Sequence, residues 1–304
     1  MASNPPFARR VSKRIALAAW AAVIVSACMA CSGQSSTSAA PVATPTPSSA
    51  ADLNYPLDAY QLTTTQTAEV EYLQTTIEKS CMAKLGFADF MPTIPASYVA
   101  QEAKIFQEFN SRIWGISDPV QAALYGYHLP PWAQATPGSE GTRTLASLPV
   151  AEQVVLVGRG GSGGCLGEAK KDVAALGLGS GDQTATLIAN LQNESFNRAK
   201  ADSRVQHVFA AWSACMKSSG YDYSSPFTVP NFTASPSPTQ AEIQTAKTDV
   251  ACKYKVNLLG VTYAVESDYQ NQFIDQNPTA LAQIQAEVKS EQKALAAAAA
   301  KYGV

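Results

Sequence analysis

The feature that most constrains the fold is a short pattern that occurs twice. The pattern C-M-x-x-x-G-[FY] spans residues 81–87 and again residues 215–221. In a Schellman helix ending, a glycine takes left-handed backbone at C′, and the residues at C3 and C″ make an apolar contact. With the glycine at C′, the methionine lies at C3 and the aromatic residue at C″. The pattern therefore predicts two helix C-termini, each with a cysteine in its last turns.

Four cysteines follow the first fifty residues, and their even number favours disulfides in an exported protein. They are Cys81, Cys165, Cys215 and Cys252. No two of them are in a C-x-x-C spacing, which disfavours a metal site, and free thiols are the other alternative. Because the pattern divides the chain into two similar halves, pairing within each half predicts Cys81–Cys165 and Cys215–Cys252. The symmetric pairing, Cys81–Cys215 with Cys165–Cys252, stays open.

The first thirty residues have the layout of an export signal. Four basic residues precede the apolar segment 15–27, and small residues follow, as in a secretory signal. The segment is short for a membrane span, which needs about 20 apolar residues. The sequence Val25-Ser26-Ala27-Cys28 resembles the bacterial lipobox, which implies cleavage before Cys28 and acylation of its thiol. Cys31 stays open as a second acceptor. We expect a lipid-anchored protein on the extracytoplasmic face of the cell membrane.

The chain divides by composition into four regions. Residues 1–27 form the signal peptide, and residues 28–51 form the lipid anchor and a tether of mainly Ser, Thr, Pro and Ala. The tether lacks the large apolar side chains that offset ordering entropy, so we expect it to be disordered. Residues 52–180 and 181–304 are the two helical halves, each with two cysteines.

Helical periodicity dominates the two halves, and strand signals are weak. Start and stop signals predict helices over 66–85, 97–114 and 119–125, and a last helix from Pro278 to about Gly303. Two very long helices are expected over 182–219 and 239–275, each more than about 50 Å long. Helices of that length are stable when packed together. The sequence predicts an all-α helical bundle with two quasi-repeated, disulfide-stapled halves and long helices in its C-terminal half.

Charge and motifs exclude several classes of function. Without the signal peptide the chain has 18 basic and 24 acidic residues, a formal charge of −6. Nucleic-acid binding needs clustered Lys and Arg, so we expect no nucleic-acid partner. No G-x-S-x-G, H-E-x-x-H or phosphate-loop motif occurs in a suitable context. The sequence therefore predicts no catalytic residue, no metal and no cofactor.

One segment stands out as a candidate ligand loop. An irregular stretch from residue 125 to residue 144 is rich in aromatic side chains, which could stack on sugar rings or hold a peptide. The candidate ligand residues are Tyr125, Tyr127, His128 and Trp132. The alternative is that these side chains pack onto the bundle. No acid or nucleophile that would pair with His128 is identifiable from the sequence.

Together, the lipobox, the C-M-x-x-x-G-[FY] pattern and the later G-C-L-G-E-A block resemble a group of uncharacterised secreted lipoproteins of actinobacteria. These motifs are structural, so the resemblance implies a location but transfers no activity. We expect a surface-anchored, non-enzymatic protein, held to the membrane by its N-terminal lipid, that binds a wall polymer, a peptide or a membrane protein. One alternative is an accessory subunit of a transport or sensing system. Another is a cell-wall hydrolase with an unfamiliar site.

Overall fold

The computed structural model describes residues 44–90, 94–134, 145–161, 163–179, 182–230, 232 and 235–304. Helices dominate these ranges, and no β-strand occurs in them, which confirms the all-α prediction. The α-helices are α1 (Thr64–Lys84), α2 (Tyr98–Ser111), α3 (Pro119–Tyr125), α4 (Pro131–Gln134), α5 (Val150–Val157), α6 (Gly164–Ala175), α7 (Asp182–Ala201), α8 (Ser203–Ser218), α9 (Gln240–Lys255), α10 (Leu258–Gln276) and α11 (Pro278–Tyr302). Short 3₁₀ helices include Ala50–Asp52, Pro56–Tyr60, Leu145–Ser147 and Pro226–Thr228.

Both copies of the repeated pattern end a helix as predicted. The amide of Phe87 donates to the carbonyl of Met82 at 3.0 Å, and Gly86 between them has a φ of +96°. The amide of Tyr221 donates to the carbonyl of Met216, also at 3.0 Å. These are the long hydrogen bonds of a Schellman ending, in which the glycine supplies the left-handed backbone. The ends of α1 and α8 are therefore set by local sequence.

The two disulfides follow the pairing within each half. Cys81–Cys165 joins α1 to α6, and Cys215–Cys252 joins α8 to α9. Each bridge lies one turn before a Schellman ending, beside a fully buried methionine of the same pattern. The structure thus confirms a disulfide-stapled helical bundle and excludes the symmetric pairing.

The two longest predicted helices are wrong, because the structure divides each into two. Asp202 lies between α7 and α8 with extended backbone, and its side chain accepts a 2.8 Å hydrogen bond from the amide of Arg204. Asn257 lies between α9 and α10 with left-handed backbone, at a φ of 52°. A short polar side chain tolerates both positions. Hydrophobic periodicity continues through both residues, so the pattern alone predicted unbroken helices.

Helix α10 is the centre of the C-terminal part and contacts α7, α8, α9 and α11. Its neighbours enclose a core in which Trp212 is fully buried and packs with Trp114 and Phe209. Helix α1 is the centre of a second group and contacts α2, α6 and α11. None of the described helices has the length and apolar character needed to cross a bilayer.

The chain before α1 crosses the surface of α10, and we call residues 44–60 the strap. It contains the 3₁₀ helices Ala50–Asp52 and Pro56–Tyr60, and it belongs to the compact unit Val42–Val304. The boundary between the predicted tether and the folded unit therefore lies earlier than Ala51. The division of the folded unit at residues 180 and 181 stays a prediction.

Candidate functional site

A cavity of about 800 Å³ lies between the strap, α1, α2, α7 and α10. Its walls carry four carboxylates, five side-chain amides and several apolar groups, and none of the lining side chains is basic. The acidic and amide residues are Asp58, Glu71, Glu102, Glu266, Gln61, Asn110, Gln192, Asn193 and Gln270. The cavity is thus polar and negatively charged on one side.

Helical spacing explains why these residues meet. Side chains three and four residues apart lie on one face of a helix. The cavity-lining residues of α1, α2 and α7 all follow that spacing, so each helix presents one stripe to the cavity. The stripes are Thr64, Thr67, Ala68 and Glu71 on α1, Glu102, Phe106 and Asn110 on α2, and Ala189, Gln192, Asn193 and Phe196 on α7. The strap and α10 supply the remaining walls.

Glu266 on α10 is the most buried carboxylate of the cavity, with 4% of its surface exposed. Its Oε2 atom accepts a 3.0 Å hydrogen bond from Nε1 of Trp114. Burial raises the pKa of Glu266 to about 7, and the hydrogen bonds from Trp114 and Tyr55 only partly oppose this rise. At neutral pH the cavity therefore holds a carboxyl group close to its midpoint of ionisation.

Two further acidic residues of the cavity, Glu71 and Glu102, lie where α1 faces α2. The hydroxyl of Tyr98 donates to Oε2 of Glu71 at 2.5 Å. Burial and the negative charge of Glu71 raise the pKa of Glu102. In the part of the chain that the structure describes, Oε2 of Glu102 is buried and has no hydrogen-bond partner. This wall disfavours an anion and offers an acceptor to a ligand that donates hydrogen bonds.

The cavity also has an apolar side. Phe106 and Ile113 line it and remain 45% and 39% exposed. The ring of Phe196, on the facing helix, lies 4.7 Å from the ring of Trp114. Apolar walls combined with a few polar groups are typical of small-molecule sites. The apolar side would cover the less polar face of a bound molecule.

The four predicted ligand residues lie away from this cavity, and two of them make hydrogen bonds to α9. The hydroxyl of Tyr127 donates to Oδ2 of Asp249 at 3.2 Å. Nδ1 of His128 lies 2.8 Å from Oε1 of Glu242, and Nε2 lies 2.8 Å from the carbonyl oxygen of Ser235. The Ser235 carbonyl and Glu242 raise the pKa of His128, although burial opposes them. Both nitrogens face acceptors, which favours the charged imidazolium.

The other two residues of the predicted loop are half-buried. Tyr125 ends α3, and Nζ of Lys104 lies 4.0 Å from the ring centroid of Trp132. None of the four predicted ligand residues lines the cavity. Ligand binding by this loop stays a prediction, separate from the cavity.

A buried ion pair, Lys253 with Asp249, lies next to Tyr127. Nζ of Lys253 is 3.1 Å from Oδ2 of Asp249 and 2.8 Å from the carbonyl of Ile116. Nε1 of Trp212 donates to Oδ1 of Asp249 at 2.8 Å. Every polar atom of the carboxylate is thus satisfied inside the protein. The pair positions α9 and offers no open group to a ligand.

Sequence patterns did not identify the cavity, because its carboxylates come from positions as far apart as residues 58 and 266. The expected acceptor of lipid, Cys28, lies outside the described residues. Among the described residues, no group of three His, Cys, Asp or Glu side chains could hold a metal ion. Comparisons of the chain with protein-family models, with curated proteins and with solved structures give no match.

Proposed function

We propose that this protein is an extracytoplasmic lipoprotein, anchored through Cys28, that binds a small ligand of the cell envelope in the cavity. Its two disulfides suit an oxidising compartment outside the cytoplasm. The lipobox-like sequence and the resemblance to actinobacterial lipoproteins support the same location. In this proposal the protein acts by binding and catalyses no reaction.

The observation that carries the proposal is the composition of the cavity walls. Four carboxylates and five amides face about 800 Å³, with no basic side chain among the lining residues. Phe106 and Ile113 add an apolar side. Such a site selects a neutral or positively charged molecule with hydrogen-bonding groups on one face and an apolar opposite face. Wall sugars and amino sugars have this chemistry.

Three sugars of similar ring structure but different charge test the proposal by calorimetric titration into the full chain. Glucosamine is cationic, N-acetylglucosamine is neutral and N-acetylmuramic acid is anionic at neutral pH. We expect the first two to bind and the anionic sugar to bind at least tenfold more weakly, because its carboxylate faces the acidic wall. Equal binding of the anionic sugar would contradict the charge argument.

Two matched variants on α7 localise the binding. Ala189 lines the cavity and is exposed, so Ala189→Trp fills its mouth without disturbing the core. Ala185 is also exposed, one turn earlier, and does not line the cavity. We expect Ala189→Trp to abolish binding of glucosamine and of soluble wall fragments, and Ala185→Trp to leave both unchanged. If the wild-type chain binds none of these molecules, the proposal is wrong.

A cell-wall hydrolase is the second candidate, and the pKa of Glu266 favours it. A carboxyl with a pKa of about 7, beside other carboxylates, has the properties of a general acid. Release of reducing sugar from purified wall, abolished by Glu266→Gln, would support hydrolysis. Binding that survives this substitution without any turnover would support the binding protein.

The accessory-subunit alternative rests on a different surface. Val120 and Leu124 lie one turn apart on α3 and are 63% and 57% exposed. Exposed apolar pairs on one helix face are typical of protein contacts. Cross-linking in intact membranes separates this function from ligand binding. It compares the wild type with one double variant that carries both Val120→Ser and Leu124→Ser. A partner lost only in that variant would favour the accessory subunit.

A further inference from the structure

We infer that the outer part of the strap, residues 44–54, is a movable wall of the cavity. It detaches from α10 to admit or release the ligand, while the 3₁₀ helix Pro56–Tyr60 keeps the strap attached. This inference rests on the proposed function, because it describes how the ligand of the cavity exchanges.

The outer strap is held to the bundle by side chains that donate to its carbonyls. Nδ2 of Asn257 lies 2.9 Å from the carbonyl of Pro45. The hydroxyl of Tyr254 lies 2.7 Å from the carbonyl of Ser48. A third such bond, from the hydroxyl of Tyr263 to the carbonyl of Asn54, is also 2.7 Å long. Each bond joins residues more than 200 positions apart, so they act only in the folded state.

The inner part of the strap is attached much more firmly. Leu57 is fully buried in a cluster with Ile188, Leu281 and Ile284, on helices α7 and α11. The amide of Leu57 donates to Oε1 of Gln270 on α10 at 2.9 Å. Burying a leucine side chain stabilises a contact more than a single exposed hydrogen bond does. The outer strap can therefore open while Leu57 remains in place.

The outer strap borders the cavity directly. Ala50 and Leu53 line the cavity, and neither of them is fully buried. Tyr55, whose hydroxyl bonds Glu266, stays with the inner part of the strap. The 3₁₀ helix Ala50–Asp52 contacts α2, so the strap extends from α10 to the opposite side of the cavity. Segments with few buried apolar contacts open at low free energy. Release of residues 44–54 would remove one wall of the cavity and leave its carboxylates in place.

The position of the strap gives this opening a role in the proposed lipoprotein. Residues 44–51 of the strap belong to the predicted tether 28–51, so the membrane anchor attaches to the movable end of the strap. Tension on the tether would act on the hydrogen bonds of Pro45 and Ser48 before it reached Leu57. Ligand exchange would thereby respond to the distance between the folded unit and the membrane.

Hydrogen exchange of the full chain, measured by mass spectrometry without ligand, is the first test. We expect the amides of Ala51 and Leu53, whose hydrogen bonds to Ser49 and Ala50 lie within the outer strap, to exchange faster than the amide of Leu57, which donates to Gln270. Tyr263→Phe removes one hydrogen bond and keeps the ring that packs on Tyr55. Asn257→Gly removes another and suits left-handed backbone. Each should accelerate strap exchange about fivefold, and Tyr302→Phe, on α11, should have no effect.

Chemical labelling tests whether the same motion opens the cavity. Ala68 lines the cavity and is 1% exposed, so the thiol of Ala68→Cys reports access for iodoacetamide, read by peptide mapping. Ala298→Cys, buried in α11 away from the cavity, is the control. We expect Tyr263→Phe and Asn257→Gly to accelerate labelling at position 68 about fivefold and to leave position 298 unchanged.

The outcomes separate this inference from the proposed function. Amides of Ala51 and Leu53 that exchange as slowly as the amide of Leu57 would overturn the movable wall. Unchanged labelling at position 68, despite faster strap exchange, would show that the strap does not control access, and would also overturn it. Neither measurement uses a ligand, so failure of the sugar titrations would refute the proposed function and leave the movable wall standing.

Discussion

Replacing Gly260 with alanine tests whether the strap packs against α10 at Pro45. Gly260 is the third residue of α10 and is buried under the strap. An added Cβ would lie 1.9 Å from the carbonyl oxygen of Pro45 and 2.6 Å from Oδ1 of Asn257. The side chain of Asn257 can rotate away, but the contact with the Pro45 backbone forces a movement of the chain. The strap yields more easily than the backbone of a helix. We therefore expect Gly260→Ala to displace Pro45 from α10.

The expected magnitude follows from two opposing effects. In an unobstructed helix interior, Gly→Ala stabilises the folded state by about 1 kcal/mol, and in the first turn, where Gly260 lies, by less. Displacing Pro45 removes its hydrogen bond with Asn257 and weakens the bond between Tyr254 and Ser48, at a cost of about 1–2 kcal/mol. The free energy of global unfolding should therefore change little. Opening of the outer strap should become easier, and its amides should exchange about 5–30 times faster.

Thermal unfolding and hydrogen exchange, measured on the same preparation, check both parts. The result that refutes the steric argument is an ordinary helix-stabilising substitution. In that case Gly260→Ala would raise Tm by about 2–4 °C, and residues 46–54 would exchange at the wild-type rate. The carbonyl of Pro45 would then not lie on α10 in solution.

Four further substitutions test three buried polar sites. Because the pKa of Glu266 is raised to about 7, the folded state binds more protons than the unfolded state between about pH 4.5 and 7. The contribution of Glu266 to stability should fall by about 3 kcal/mol as the pH rises across that range, and Glu266→Gln should remove this contribution in denaturant titrations. The pKa of His128 is also raised, so its charged form stabilises the fold fully below pH 6.5, and this contribution is lost as the pH rises through the folded-state value. The stability lost in His128→Gln should therefore be largest below pH 6.5 and should shrink at higher pH; a pH-independent difference would contradict the assignment. Lys253→Met leaves the buried carboxylate of Asp249 unpaired and should cost about 3–5 kcal/mol. Adding Asp249→Asn should restore much of this loss, and no recovery in urea unfolding would show that the ion pair is not the cause.

Local sequence was sufficient where a structural element is stabilised by its own neighbours. The ends of α1 and α8 need only the glycine and the apolar residues of the repeated pattern, so both were predictable. The start of α3 was predictable for the same reason, since the side chain of Asp118 caps the amides of the next turn. The disulfide pairing followed from the division into similar halves.

Distant contacts decided the features that the sequence did not predict. The strap crosses α10 close to the break at Asn257, where the side chain of Asn257 holds Pro45, a residue 212 positions earlier in the chain. His128 pairs with Glu242, which lies 114 positions away in the chain. Glu242 also belongs to the capping box of α9. The cavity forms because the strap covers a space between α2 and α10. Periodicity within one segment contains no information about such contacts.

Native mass spectrometry of the protein extracted from its own membranes tests the central proposal most directly. We expect the wild type and Ala185→Trp to have an acylated N-terminus and a small neutral or cationic molecule bound, and Ala189→Trp to have the same acylation with no bound molecule. An identical adduct on all three proteins, or none on the wild type, would contradict ligand binding in the cavity. An unprocessed N-terminus would contradict the lipid anchor.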